Sequence, residues 1–204
     1  MDYRFHRSLD PLRRHPLSDG LFTFLANDLA LVLMAIVALV FLVLRAGAAC
    51  RSGAVLATAS AGLALLINQP IAHLVDRARP YVAYPAQVHL LVARSPDPSF
   101  PSDHATGTFA LAFGIWLYDR TIGTVLLALA ALLALARVDV GAHYPGDVLA
   151  GAVVGIAVAG ALYVLPTRRL VEAIASVALP RATAPAHSSV SVRSRRETTE
   201  KEAA

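Results

Sequence analysis

Five long apolar runs dominate the pattern of polar and apolar positions along this chain. None contains an aspartate, glutamate, lysine or arginine, and they are residues 29–44, 52–75, 104–118, 121–136 and 148–167. A helix of about 20 apolar residues crosses a hydrocarbon core of about 30 Å. The second and fifth runs reach this length, and the other three approach it when polar neighbours at their ends are included. The pattern predicts an all-α integral membrane bundle of about five transmembrane helices.

The segments between the runs indicate how the helices are connected. Residues 21–30 mix apolar and polar side chains, which is typical of an additional N-terminal interfacial helix. Residues 76–101 are the longest break and are rich in proline, so we expect a functional loop there. The polar pair Asp119 and Arg120 predicts the tight turn of a helical hairpin between the third and fourth runs.

Three segments follow from this reading of the chain. Residues 1–28 form a polar and interfacial segment, residues 29–167 form the transmembrane domain, and residues 168–204 form a basic tail whose composition is typical of disorder. Five spans would place the loops 76–101 and 138–146 on the same side of the membrane. The basic tail favours a cytoplasmic C-terminus, so we expect a multi-pass protein of the plasma membrane whose two loops face outward.

Composition supports the membrane assignment and excludes other classes. Hydrophobic residues make up 56% of the chain and the mean hydropathy is +0.58, which is high for a soluble domain. The net charge of +4 is accounted for by arginines at membrane boundaries, so a nucleic-acid partner is not expected. Cys50 is the single cysteine, which excludes an intrachain disulfide and argues against a cysteine-based metal site.

Three short polar clusters stand out against this apolar background. They are Arg79-Pro80, then Pro101-Ser102-Asp103-His104, then Arg137 followed by His143 and Asp147. Each has a plainer interpretation alone: a boundary arginine, a helix cap with an interfacial histidine, and a polar loop whose aspartate caps a helix. The predicted topology places all three on one face, however, and ionisable residues beside membrane spans usually mark a functional site.

The first two clusters have the chemistry of a phosphate site. Pro80 disfavours helix at Arg79, which would present a guanidinium able to bind two phosphate oxygens at once. Ser102 suits a helix N-cap, and the N–H groups at a helix start bind anions. His104 would lie in the first helical turn, where an imidazolium can protonate a leaving oxygen.

The third cluster contributes a nucleophile. A carboxylate such as Asp147, hydrogen-bonded to one ring nitrogen of His143, would fix the tautomer and leave the other nitrogen able to attack. Arg137 would supply a second guanidinium at the end of the fourth run. The clusters lack metal-ligand spacing, and the arginines already provide positive charge, so we expect no metal and no other cofactor.

These motifs resemble the type 2 phosphatidic acid phosphatase superfamily, which includes bacterial membrane lipid phosphatases and vanadium haloperoxidases. Its pattern is Lys-x6-Arg-Pro, Pro-Ser-x-His and Ser-Arg-x5-His-x3-Asp, and the resemblance covers roughly residues 60–165. It implies a helical core like that of acid phosphatases and haloperoxidases. It implies that His143 is the nucleophile that forms a phosphohistidine and that Asp147 orients it. It also implies that His104 is the general acid and base. The implied phosphate-binding residues are Arg79, Arg137 and Ser102.

The chain departs from the family pattern at two positions. Ala72 stands where the family has its lysine, and Arg77 is expected to supply the missing phosphate-binding charge. Ala136 replaces the serine before the second arginine, which removes one hydrogen bond to phosphate. The run Asn68-Gln69-Pro70-Ile71 without a lysine looks most like the undecaprenyl-diphosphate phosphatase branch, the bacitracin-resistance type.

The resemblance implies hydrolysis of undecaprenyl diphosphate to the monophosphate, with lipid phosphate as the partner in the membrane. The same chemistry on phosphatidic acid or phosphatidylglycerol phosphate is one alternative. A non-catalytic lipid-binding or transport protein is another, although it would not need His104, His143 and Asp147 together.

Overall fold

The computed structural model describes residues 16–26, 48–88 and 90–165, together with residues 169 and 173. The elements in this part of the chain are all helices: α1 Pro16–Ala26, α2 Ala48–Val75, α3 Pro80–Ala83, α4 Asp103–Trp116, α5 Arg120–Asp139 and α6 Pro145–Val164. The predicted all-α class is therefore confirmed. The first apolar run, residues 29–44, and nearly all of the basic tail lie outside the described residues.

Three helical stretches in the described ranges are long and apolar enough to cross a membrane. They are Ser52–Ala83, Arg120–Asp139 and Pro145–Val164. The third apolar run was expected to span as well, but α4 ends at Trp116 and has only 14 residues. At about 1.5 Å per residue it measures about 21 Å, which is shorter than a hydrocarbon core of about 30 Å.

The short helix α4 occupies the centre of the bundle and contacts α2, α5 and α6. Small residues make this close packing feasible, as they do in many membrane helix interfaces. A Cβ on Gly114 would lie 2.6 Å from the Cα of Ala57 on α2, and one on Gly151 would lie 2.6 Å from the carbonyl oxygen of Ser102. The contact at Gly151 brings the start of α6 against the start of α4.

The turn between α4 and α5 follows the sequence prediction. Asp119 caps α5 by accepting a hydrogen bond from the backbone N–H of Ile122 (3.0 Å). The predicted hairpin is therefore confirmed.

Helix α1 overlaps the region 21–30 where an interfacial helix was expected, but it begins earlier, at Pro16, and ends at Ala26. It packs against α5. Ala26 is fully buried with Ala136 and Val140, and Ala136 directly precedes Arg137 in the chain. The end of α1 therefore reaches the region of the predicted site.

The loop between α2 and α4 carries the first cluster and turns back towards the bundle. Arg79 is extended (φ −66°, ψ 154°) directly before the single turn of α3, as Pro80 predicts. The Tyr81 hydroxyl donates to the carbonyl oxygen of Ser95 (2.8 Å) and accepts from the Ser95 N–H (3.1 Å). These bonds tie the far part of the loop to the turn of α3.

Candidate active site

His143 lies in the short loop between α5 and α6, with a buried side chain. Its Nδ1 is 2.8 Å from the carbonyl oxygen of Ser99. A carbonyl only accepts hydrogen bonds, so Nδ1 carries the hydrogen, and in the neutral ring Nε2 carries the lone pair. Nε2 faces the guanidinium of Arg79, whose Nη1 is 3.4 Å away. The tautomer inferred from this bond is the one a nucleophilic Nε2 requires.

The surroundings of His143 favour its neutral form. Burial is the main factor that lowers the pKa of the imidazole well below 6.5, and the positive charges of Arg137 and Arg79 lower it further. The hydrogen bond to Ser99 acts in the opposite direction and raises the pKa, but it does not outweigh burial. At neutral pH the ring is therefore unprotonated and able to attack an electrophile.

Two backbone carbonyl oxygens hold the Arg79 guanidinium in place. Its Nε donates to the carbonyl oxygen of Asp97 (2.8 Å), and its Nη1 lies 3.5 Å from the carbonyl oxygen of Ala142. The side chain is buried, so its charge acts in a weakly screened environment. The Arg79 guanidinium, which was expected to bind phosphate, therefore lies beside the imidazole of His143.

Arg137 presents the second buried guanidinium. It lies in the last turn of α5, and its Nη1 donates to the carbonyl oxygen of Ala26 (2.8 Å). Ala26 is the last residue of α1, so this bond ties the guanidinium to that helix. The end of α1 therefore supports a cation of the site.

Ser102 caps α4, as expected, with its hydroxyl accepting from the backbone N–H of Ala105 (3.5 Å). Its own N–H donates to the carbonyl oxygen of Asp147 (3.1 Å), which ties the starts of α4 and α6 together. His104 follows in the first turn. The neighbouring Asp103 carboxylate accepts from the buried amide of Asn68 (2.6 Å).

Asp147 lies one turn from His143 but does not contact the imidazole as expected. Its Oδ2 is 3.9 Å from Nδ1, which is too long for a hydrogen bond. That oxygen accepts instead from the hydroxyl of Ser99 (2.5 Å) and from the N–H of Tyr144 (2.9 Å). The geometry differs from expectation because Ser99 lies between the carboxylate and the ring.

Arg77 also has contacts other than the expected ones. Its Nη1 forms an ion pair with Oδ1 of Asp147 (2.8 Å), and its guanidinium lies 3.9 Å from the centre of the Tyr144 ring. The buried carboxylate attracts the nearby cation. The expectation that Arg77 replaces the family's lysine at the phosphate is not supported by this position.

A cavity of about 120 Å³ opens between these elements, several times the space that one water molecule needs. Its walls are formed by Arg79, Ser95, Asp97, Pro98, Pro101, Asp103, His104, Arg137 and His143. The structure thus brings together four of the seven predicted site residues around one space. Arg77, Ser102 and Asp147 lie behind this wall rather than in it.

Sequence reasoning missed the loop residues of the site. Ser95, Asp97 and Ser99 come from the proline-rich stretch, where polar residues are ordinary and no spacing rule singles one out. The sequence feature that could have pointed to these residues is the position of the stretch, which directly precedes the second cluster. Among the residues that the structure describes, no three histidine, cysteine or acidic side chains group as metal ligands.

Comparison with known proteins identifies the family. Residues 53–170 match the PAP2 superfamily. The chain is 32% identical over 157 residues to undecaprenyl-diphosphatase BcrC of Bacillus subtilis strain 168, covering 76% of this chain and 79% of the relative. The chain therefore belongs to the PAP2 superfamily and is a membrane lipid phosphatase. This confirms the family and the branch that the three motifs indicated.

Two further similarities bear on substrate and fold. Decaprenylphosphoryl-5-phosphoribose phosphatase of Mycobacterium tuberculosis strain H37Rv is 40% identical over 103 residues, which cover 50% of this chain and 55% of the relative. The crystal structure of LpxE from Aquifex aeolicus aligns with a TM-score of 0.63 and 24% identity, covering 78% of this chain and 92% of that chain. The second comparison confirms the fold.

Proposed function

We propose that this phosphatase removes the terminal phosphate of a polyprenyl diphosphate, with undecaprenyl diphosphate as the substrate, through a phosphohistidine on His143. The single observation that carries the proposal is the orientation of this imidazole. Its Nδ1 hydrogen is held by Ser99, and its Nε2 is directed to Arg79 in a cavity also lined by His104 and Arg137.

In the first step Nε2 of His143 attacks the terminal phosphorus. The N–P bond forms while the P–O bond to the lipid phosphate breaks, and His104 donates a proton to the departing oxygen. Arg79 and Arg137 stabilise the negative charge on the transferring oxygens. In the second step His104 takes a proton from water, the water oxygen attacks phosphorus, and the N–P bond breaks to release inorganic phosphate.

The choice of a diphosphate rests on two supports. The name of the Bacillus subtilis relative refers to undecaprenyl diphosphate. The two buried guanidiniums suit a ligand with high negative charge. A lipid phosphomonoester is the second candidate, favoured by the mycobacterial relative. Initial rates on undecaprenyl diphosphate, phosphatidic acid and phosphatidylglycerol phosphate decide between them, because the proposal requires the highest kcat/KM on the diphosphate.

The mechanism is tested with purified protein in detergent. Phosphate release should continue in the presence of a chelator and should be inhibited by vanadate. His143→Ala should lower turnover by at least about 1,000-fold, since the nucleophile is lost. His73→Ala is the matched control because His73 is an exposed histidine on α2. Full turnover in His143→Ala would exclude the proposed mechanism, because the imidazole would then take no part in the reaction.

We also propose that the site opens on the outer face of the plasma membrane. The support is the basic composition of residues 168–204, which favours a cytoplasmic C-terminus. Ala93 is exposed in the loop that borders the cavity. In a Cys50→Ala background, Ala93→Cys should react with a membrane-impermeant thiol reagent in intact cells. Labelling only after cell lysis would indicate the opposite orientation, with the site on the cytoplasmic face.

A further inference from the structure

Ser99 makes three hydrogen bonds that converge behind the nucleophile. It is fully buried two positions before Pro101. Its carbonyl oxygen accepts from Nδ1 of His143 (2.8 Å), its hydroxyl donates to Oδ2 of Asp147 (2.5 Å), and its N–H donates to the carbonyl oxygen of Arg77 (2.8 Å). The acceptor for the imidazole is therefore a backbone atom whose position depends on the side chain of the same residue.

We propose that Ser99 is the positioning residue of His143, and that Asp147 acts on the imidazole through Ser99 rather than by direct contact. This inference rests on the proposed function, since it assigns the residues that orient the nucleophile. The carboxylate of Asp147 lies 3.9 Å from Nδ1, beyond hydrogen-bond distance. The connection that does meet hydrogen-bond geometry runs from Asp147 through the Ser99 hydroxyl and carbonyl to the ring.

The carboxylate is itself firmly held, which makes it a suitable anchor. Asp147 accepts from Arg77 on one oxygen and from Ser99 and Tyr144 on the other, and its side chain is buried. An ionised acceptor strengthens the bond from the serine hydroxyl. Losing this bond would let the Ser99 peptide rotate and would release the ring from its attacking orientation. A displacement of about 1 Å at a reacting group can cost about 100-fold in rate.

Ser99→Ala removes the hydroxyl and leaves the backbone carbonyl in the chain. We expect kcat to fall by about 10-fold to 100-fold with little change in KM, because Ser99 is not among the residues that line the cavity. Ser60→Ala is the matched control, since Ser60 is equally buried and its hydroxyl donates to the carbonyl oxygen of Leu56 within α2 (2.6 Å). Ser99→Thr keeps a hydroxyl and should recover most of the turnover.

The acidic limb of the pH profile of kcat/KM provides a readout that general loss of folding would not move. The charged or titratable groups that lie near the ring or line the same cavity are Arg79, Arg137, His104, Asp147, Asp97 and Asp103. The bond to Ser99 raises the pKa of His143. Weakening that bond in Ser99→Ala should therefore shift the acidic limb to lower pH, while Ser60→Ala should leave it in place.

A double-mutant cycle separates the indirect route from a direct one. If Asp147 acts through Ser99, the variant Ser99→Ala with Asp147→Asn should be no slower than the slower single variant. The inference is overturned if the losses of the two single variants multiply, or if Ser99→Ala keeps the wild-type kcat and pH profile. The proposed function still stands in that case, provided that His143→Ala is inactive. Full activity of His143→Ala would instead overturn the proposed function and this inference with it.

Discussion

The contact between α4 and α6 offers the sharpest test of how the fold supports the site. Gly151 on α6 lies against the first turn of α4, where Ser102 caps the helix. A Cβ added at Gly151 would lie 2.6 Å from the Ser102 carbonyl oxygen and 2.8 Å from Oγ1 of Thr106. Gly151→Ala therefore forces apart the two helix starts that carry His104 and Asp147.

The size of the effect follows from these distances. The shortest contact is about 0.8 Å below the 3.4 Å at which ordinary contact begins, and it meets backbone that cannot rotate away. Overpacking of this kind costs about 1–3 kcal/mol of stability. A shift approaching 1 Å between catalytic groups costs up to about 100-fold in rate. We expect kcat/KM to fall by about 10-fold to 100-fold and the melting temperature in detergent to decrease.

The assay compares phosphate release and thermal unfolding of Gly151→Ala with those of Gly160→Ala. Gly160 lies on the same helix, but a Cβ there would have as its nearest atom Cε1 of Phe113 at 3.9 Å. The control should keep wild-type turnover and gain up to about 1 kcal/mol from higher helix propensity. Wild-type turnover and melting temperature in Gly151→Ala would refute the close approach of α4 and α6.

Three further predictions concern the charged groups of the site. Burial and two arginines lower the pKa of His143, so the acidic limb of the pH profile of kcat/KM should lie below pH 6.5. Arg137→Gln should move this limb to higher pH, and a wild-type limb above pH 6.5 would contradict the reasoning. Arg77→Gln should reduce kcat about 10-fold with little change in KM, because Arg77 pairs with Asp147 outside the cavity wall; a large rise in KM alone would restore Arg77 as a phosphate ligand. Arg79→Lys should lower kcat/KM by about 10-fold to 100-fold, because lysine lacks the Nε bond to the Asp97 carbonyl and cannot bind phosphate in the proposed bidentate way. Initial rates on undecaprenyl diphosphate measure this loss.

Local sequence signals predicted the parts of the site that depend on neighbouring residues. Pro80 set the extended conformation of Arg79, and Ser102 capped α4, because both effects act within one or two residues. Placing His104 and His143 around one cavity required only the order of the helices and the side on which each loop lies. These features could be read from spacing alone.

The contacts of Arg77 and Asp147 could not be predicted in the same way. The ion pair between Arg77 and Asp147 joins residues 70 positions apart, and Ser99 reaches both only through the path of the long loop. The end of α4 at Trp116 could not be predicted either, since the apolar run continues to residue 118. Hydropathy records that a segment is apolar, and it does not distinguish a helix exposed to lipid from one enclosed by α2, α5 and α6.

The bond between Arg137 and the end of α1 ties the candidate site to a part of the chain that lies outside the family match. The family match begins at residue 53, whereas the acceptor for this guanidinium is supplied by Ala26. A version trimmed to residues 53–170 would lose this acceptor for the Arg137 guanidinium, even with all three polar clusters intact. Helix α1 is therefore part of the surroundings of the candidate site, although it lies outside the region that the family match covers.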